Sequence, residues 1–311
     1  MHVILGAGGA ISDSLAHILS EHDIPVRQVA RHSRHYTFGT GMNADLTKAE
    51  GILKALDGAE TAYMVVGLPY KLSVWESTWP PMMQHLVNGC LKTGTKLVFL
   101  DNIYMLSDDS MPHMTETSPM TPSSKKGKVR ANVDRIMLEA MESGKLKGCI
   151  ARSADFYGYT SENKSLLLDM VIKKMAHGKM PQWFYTVEKK HSFSYIPDIA
   201  EALHILGTSD KSWGQVWNVP TAPAMTLEEI IAMINHLVHK HLKPQLMNEL
   251  MTAILRLFIP ALSEMKELKY QLVQDYVLDS SKFENAFSFT PTTMEEGLET
   301  VIDHIHKASN T

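Results

Sequence analysis

"MHVILGAGGAISDSLAHILSEHDIPVRQVAR", residues 1–31, decides the fold. An apolar run, Val3 to Leu5, opens it and a glycine-rich turn follows. Leu15, Ile18 and Leu19 then recur at the spacing of a helix that buries one face. "IPVRQVA" closes the stretch as a second strand. A strand, a helix and a strand in about 30 residues make one βαβ unit, so the two strands lie parallel and the crossover is right-handed.

The alternation continues outward. "AEGILKALDG" reads as a helix, "TAYMVVG" as a strand and "WPPMMQHLVNGCLKTG" as a helix. "KLVFLDN" (strand), "KGKVRANVDRIMLEAMESG" (helix) and "LKGCIARSADFYG" (strand) follow. Repeated β-α alternation predicts an α/β fold, a Rossmann-type doubly wound parallel sheet. Beyond about residue 160 the pattern changes to "SLLLDMVIKKMAHGK", "SFSYIPDIAEALHILG", "GQVWNVP" and "TLEEIIAMINHLVHKHL". The expected division is a dinucleotide-binding domain over residues 1–160, with segments near 190–220 returning to it. A smaller, mainly helical substrate lobe covers residues 161–311. The longest irregular piece, "SDDSMPHMTETSPMTPSS", is of a length that often carries function.

Composition excludes some classes. With a net charge of −4 there is no global basic field, so neither nucleic acid nor an anionic membrane is an expected partner. "LMTAILRLFIPAL", residues 250–262, is too short to span a bilayer and is broken by Arg256 and Pro260. No cationic leader precedes the first apolar run, and Cys90 and Cys149 sit in apolar stretches, so a cytoplasmic protein with two buried thiols is expected.

The turn "GAGGAIS" spaces Gly6 and Gly9 three apart, with Ser12 where a third glycine often falls. Between a strand and a helix, such a turn lets backbone approach a pyrophosphate, and the free amides of the helix start, at Ala10 and Ile11, favour negative charge. The second strand ends in "ARHSRH", with Arg31 and Arg34 where an NAD site often places a carboxylate. NADP is therefore the expected cofactor, with NAD as the alternative.

Several landmarks stand in one order: the Gly6-x-x-Gly9 turn, "ADL", "VVGLP", "TETSPMTP", "RSADFYG", "SYIPDIAEAL", "WNVP" and "FENAFSFTPTTMEEGLETVI". Together they make the chain resemble, from end to end, an extended or atypical short-chain dehydrogenase/reductase of the NAD-dependent epimerase/dehydratase group. The resemblance implies that Asp45 and Leu46 contact the adenine ring, that Gly67 lies where a strand meets the cofactor, and that flanking helices form a homodimer. It also implies a Tyr-x-x-x-Lys pair at the start of the helix after "TETSPMTP". The tyrosine works as acid or base at the substrate oxygen, and the lysine lowers its pKa and holds the cofactor ribose.

Here "SSKKGKVRANVD" occupies that place. The tyrosine slot falls on Lys126, the lysine slot on Arg130, and the upstream Ser/Thr slot near Asn102. Two readings stay open. In one, Lys126 or Tyr104 donates the proton, Asn102 polarises a carbonyl, alcohol or sugar oxygen, and Arg130 holds ribose or phosphate. In the other, chemistry is lost and the chain is a dinucleotide-binding redox sensor. Asp101 either bonds the cofactor ribose or ends its strand, and Asp155 and Tyr157 line the nicotinamide end of the cleft or form a structural turn. Trp75, Trp79 and Trp183 roof the substrate cleft or pack, with packing preferred. The histidines of "HLVHKHL" lack a carboxylate or cysteine at a metal spacing and read as a wet helix face.

Overall fold

Seven parallel strands form the central sheet of a computed structural model in which residues 1–32, 35–159, 164–255, 263–264 and 266–309 are described. They are β1 (His2–Leu5), β2 (Val26–Ala30), β3 (Thr40–Asn43), β4 (Thr61–Met64), β5 (Lys96–Asp101), β6 (Gly148–Arg152) and β11 (Gln215–Asn218). Their order is β11-β6-β5-β4-β1-β2-β3. β1 thus lies between β2 and β4, in register His2 with Val26 and with Thr61. The order reverses at β1, and such a switch point opens a crevice beyond the carboxyl ends of the strands.

Helices α1 (Ala10–Glu21), α2 (Ala49–Leu56), α3 (Leu72–Thr93) and α4 (Lys125–Glu142) connect these strands. Covered on both faces, the strands read as unbroken apolar runs, and every residue of β1 and β4 is buried. The edge strand β3 is the exception. Its residues, Thr40 to Asn43, are exposed or half-exposed and show no alternation, so sequence pattern did not reveal it.

α3 begins at Leu72, seven residues ahead of the start expected at Trp79. Pro80 and Pro81 read as helix-opening residues because proline suits the first turn, where its missing N–H costs nothing. In the structure they lie inside the helix. Trp75 and Trp79, one turn apart, bury their rings in the core, and that burial holds the upstream turn in place. Both belong to core packing rather than to a cleft roof, as preferred.

The chain divides into two units. The first comprises Met1–Leu106, Pro119–Ser153 and Ile199–Val219, and so holds the whole sheet. The second comprises Ser107–Ser118, Ala154–Asp198 and Pro220–Thr311. Part of the long loop after β5 therefore belongs to the second unit. Among the described residues that unit's strands pair two by two, β7 (Asp155–Tyr157) with β10 (Phe193–Tyr195), β8 (Gln182–Phe184) with β13 (Gln245–Met247), and β9 (Lys190–His191) with β12 (Met225–Thr226), and single bridges join Met114 to Leu278 and His191 to Tyr276. The strand expected over "LKGCIARSADFYG" is therefore two, β6 and β7, interrupted after Arg152.

α5 (Lys173–Ala176) continues a π-helical turn over Leu168–Ile172, α6 (Ile196–Thr208) runs on from β10, and α7 (Leu227–Leu237) packs with the terminal helix Met294–Ser309. Trp183 and Tyr157 lie in this unit's core, where Tyr157 packs on Tyr195 at 5.2 Å. His236, His239 and His241 are exposed, the last two beyond the end of α7. Residues 256–262 of the apolar segment lie outside the described residues. Among the described residues no helix is long and apolar enough to cross a membrane. Cys90 and Cys149 are free and buried, and burial pushes the Cys90 thiol up to about 12 and Cys149 higher still.

His2 gives the fold a pH dependence. It is buried at the start of β1, with Nδ1 3.0 Å from the Tyr63 hydroxyl. Burial, reinforced by the N-terminal amine, His204 and Lys96 and opposed by Glu60, lowers its pKa from 6.5 to about 4. The folded protein therefore keeps His2 neutral while the unfolded chain protonates it below pH 6.5. The unfolded state binds more protons between about pH 6.5 and 4, so this contribution is present above that window and lost through it on acidification. Urea unfolding is expected to show a loss of up to about 3 kcal/mol across the window. His2→Gln should flatten that part of the curve, and an unchanged slope in the variant would rule His2 out as the source.

Candidate functional site

The turn after β1 is built as a cradle. The amides of Gly6 and Ala7 both donate to the Val29 carbonyl, at 3.0 and 2.9 Å, tying it to the end of β2. Gly6 has φ +100° and Gly8 φ +95°, the left-handed region that glycine enters without a Cβ penalty. A Cβ on Gly6 would stand 2.7 Å from Val66 Cα, so the backbone beyond β4 passes against the turn with no room for a side chain. Gly9 is the N-cap of α1 in extended conformation. Ser12, in the third-glycine place, is buried. Its Oγ accepts from the Gly9 amide at 2.9 Å and donates to the Gly9 carbonyl at 2.7 Å. The helix starts at Ala10, beyond the carboxyl end of β1, where its first amides have no intrahelical acceptor. This cradle fits a pyrophosphate.

Arg31 follows β2 directly and is exposed, whereas Arg34 lies outside the described residues. Asp45 is exposed, and its Oδ1 accepts from the Thr47 amide at 3.0 Å and from the Thr47 hydroxyl at 2.7 Å. Those bonds, the hydroxyl's first, hold the carboxyl below the usual range, with Lys48 and Arg31 adding positive charge nearby. Leu46 is buried, and Gly67 is exposed with nothing within 4 Å of where a Cβ would stand.

The cationic run that opens α4 splits by helix face. Ser124 caps the helix, its Oγ accepting from the Gly127 amide at 3.0 Å. Lys125 and Lys128 point to solvent, while Lys126 and Arg130, four residues apart, are buried. Lys126 Nζ lies 4.6 Å from the centre of the Tyr70 ring. A Cβ on Gly127 would stand 2.4 Å from the Tyr104 carbonyl oxygen, so the first turn of α4 sits on the segment leaving β5. In that segment Asn102 Oδ1 accepts from the Tyr104 amide at 2.9 Å, and the Tyr104 ring stacks near Trp75 at 6.1 Å. Asn102, Tyr104, Lys126 and Arg130 are thus brought together at the carboxyl end of β5.

Arg130, expected at the cofactor ribose, instead directs its guanidinium to the buried carboxylate of Asp101. Its Cζ lies 4.2 Å from the Trp79 ring centre and 5.2 Å from that of Phe99. Asp101, expected at the ribose or as a strand end, is thus the other half of this pair. One turn further along α4, Asp134 receives Arg152 at 2.9 Å, and both side chains are almost fully buried. Burial raises the Asp101 carboxyl well above its usual range. Arg130 is the largest opposing influence, and Asp134 adds to the rise. Sequence reasoning missed Asp134 and gave Arg152 no role. The i, i+4 spacing places Asp134 on the same helix face as Arg130, but each takes its partner from a strand, Asp101 on β5 and Arg152 on β6, to which no local spacing points.

Asp155 belongs to the second unit, three residues past β6. There its Oδ2 lies 3.0 Å from His191 Nε2, and the His191 ring stacks on Tyr276 at 4.1 Å. Sequence separation hid this His–Asp pair.

Residues 2–219 match the model of the NAD dependent epimerase/dehydratase family. The chain belongs to that family. A search of curated proteins found no match. Among solved structures, the chain is similar to a UDP-glucose 4-epimerase of Thermus thermophilus in complex with NAD (TM-score 0.78, 18% identity, covering 99% of this chain and 100% of that one). It is also similar to a dTDP-glucose 4,6-dehydratase of Bacillus anthracis in complex with NAD (0.80, 16%, 100% and 98%). A UDP-N-acetylglucosamine 4-epimerase of Bacillus cereus is a third such structure (0.77, 17%, 99% and 96%). At these identities the likeness shows the shared fold. The family model, covering most of the chain, carries the membership, which agrees with the resemblance read from the sequence.

Proposed function

We propose that the chain binds a nicotinamide dinucleotide, NADP in preference to NAD, and acts on a carbonyl, alcohol or sugar substrate by hydride transfer. The observation that carries this reading is the glycine turn at the sheet's switch point, where φ +100° at Gly6 and the crowding of Val66 leave room only for backbone. The turn holds the pyrophosphate through the first amides of α1, with Gly6, Gly9, Ala10 and Ile11 in contact. Asp45, Leu46 and Gly67 border the adenine and the strand end, and Arg31 and Arg34 take the 2′-phosphate. When bound, the nicotinamide ring supplies or accepts the hydride.

Lys126 or Tyr104 moves the proton at the substrate oxygen. Because Asn102 Oδ1 is occupied by the Tyr104 amide, its NH2 group is the part left to polarise that oxygen. Arg130 enters as a positioning residue, since its guanidinium is committed to Asp101 and the Trp79 face. Asp155 enters from its place in the "RSADFYG" segment of the family pattern alone; within its own unit its carboxylate is paired with His191. The similarity to solved nucleotide-sugar epimerases and a nucleotide-sugar dehydratase supports a sugar substrate.

The same commitment of Arg130 favours a second reading, a non-catalytic dinucleotide sensor. Titration with NADPH and NADH, followed by cofactor fluorescence, is the first test. Arg31→Ala is expected to weaken NADPH about tenfold, the worth of one charge-assisted contact, and to leave NADH unchanged. Absence of binding for both would end both readings. NADPH oxidation is then screened against nucleotide sugars and simple carbonyls. Loss of the proton donor, in Lys126→Ala or Tyr104→Phe, should slow turnover about 10²- to 10⁴-fold. Tight binding with no turnover on any substrate would leave the sensor.

A further inference from the structure

At the opposite end of the strands from the glycine turn, before β2 begins, α1 ends at His22, its C-cap. His22 meets α6 there, and its ring stacks on that of His204 with 4.1 Å between centres and 25° between planes. One turn before His204 on α6, Glu201 places Oε1 3.0 Å from His204 Nδ1. His204 is buried, Glu201 half-buried and His22 exposed. One ligand atom from each of the three lies within 4.8 Å of the other two.

The geometry points to a binding site for a borderline divalent cation, zinc first, with His22, Glu201 and His204 as its three protein ligands. Two imidazoles and one carboxylate are a donor set that zinc takes, with a fourth position left to water. The exposure of His22 keeps that position open to solvent. Around a tetrahedral ion with bonds near 2.1 Å the donors stand about 3.4 Å apart, so Glu201 and His204, 3.0 Å apart, need only open slightly, and a donor at the 4.8 Å limit must close by roughly an ångström. His22 and Glu201, on the exposed side, have that freedom. The negative end of the α1 dipole lies at the same place and favours a cation. Glu201 and His204 are three apart on one helix, but His22 comes from another element about 180 residues earlier, which is why the cluster was not visible as a motif. A bound ion would clamp the end of α1 to α6. It would act on stability rather than on the chemistry at the carboxyl ends of the strands.

The test is calorimetric titration of the tag-free full chain with zinc chloride in a non-chelating buffer, alongside thermal melts. One ion per chain is expected, raising the melting midpoint. His22→Ala, which alters an exposed residue and leaves the fold intact, should weaken binding at least about 10- to 100-fold and abolish the shift in melting. Glu201→Gln should weaken binding in the same direction. Cobalt in place of zinc should show the visible bands of a four-coordinate ion in the wild type and lose them in His22→Ala. No stoichiometric binding, or binding untouched by His22→Ala and therefore owed to others of the 15 histidines, overturns the site.

Discussion

Arg130→Ala is expected to destabilise the protein by about 3–5 kcal/mol, the usual cost of removing one partner from a buried ion pair. Both side chains of the Arg130–Asp101 pair are almost fully out of solvent. The guanidinium also packs on Trp79 and Phe99, so truncation removes contact area as well as charge. Asp101, already raised by burial and by Asp134, loses the largest influence favouring its charged form and takes up a proton. The measurement is the unfolding midpoint of the protein without cofactor. A companion variant, Arg130→Met with Asp101→Leu, removes both charges and is expected to recover most of the loss, because two well-packed apolar groups can replace a buried pair at little cost. Had Arg130 served only to hold a ribose, Arg130→Ala would weaken NADPH binding and leave the midpoint in place. That result would return it to the role its slot in the family pattern suggests.

This contrast marks how far the sequence could be read. The sheet was legible because its buried strands are continuous apolar runs and its glycine turn marks the passage from a strand into a helix. The edge strand β3 was not, since an exposed strand leaves no hydrophobic signature. For the candidate site, position along the chain located Asn102, Tyr104, Lys126 and Arg130 at one strand end. It could not say which way the side chains face. Lys126 and Arg130 share a helix face that turns inward, and whether an inward arginine meets a ligand or an aspartate depends on what β5 places opposite it. The Asp155–His191 pair and the His22 cluster depend on contacts between residues far apart in sequence, for which no local spacing exists.

Gly6→Ala is expected to abolish dinucleotide binding, lowering affinity by more than 100-fold, about 3 kcal/mol. Two independent causes act at this position. The left-handed φ of +100° costs an alanine about 1–3 kcal/mol of strain. The new methyl would also stand 2.7 Å from Val66 Cα and 2.8 Å from its amide nitrogen, both backbone atoms of a segment fixed by β4. A side-chain tip could rotate away, but this backbone yields only by moving the turn or the strand end, and either movement misplaces the first amides of α1. The Gly6 and Ala7 amides bonded to the Val29 carbonyl resist the same displacement from the other side. Circular dichroism of the variant is expected to show the fold retained with a lowered melting midpoint, while NADPH fluorescence shows no saturable binding. Gly67→Ala serves as the steric control, because its added methyl meets nothing within 4 Å and should leave the midpoint unchanged. NADPH binding by Gly6→Ala within about threefold of wild type would mean that the cofactor does not rest on this turn, and the oxidoreductase reading would lose its footing.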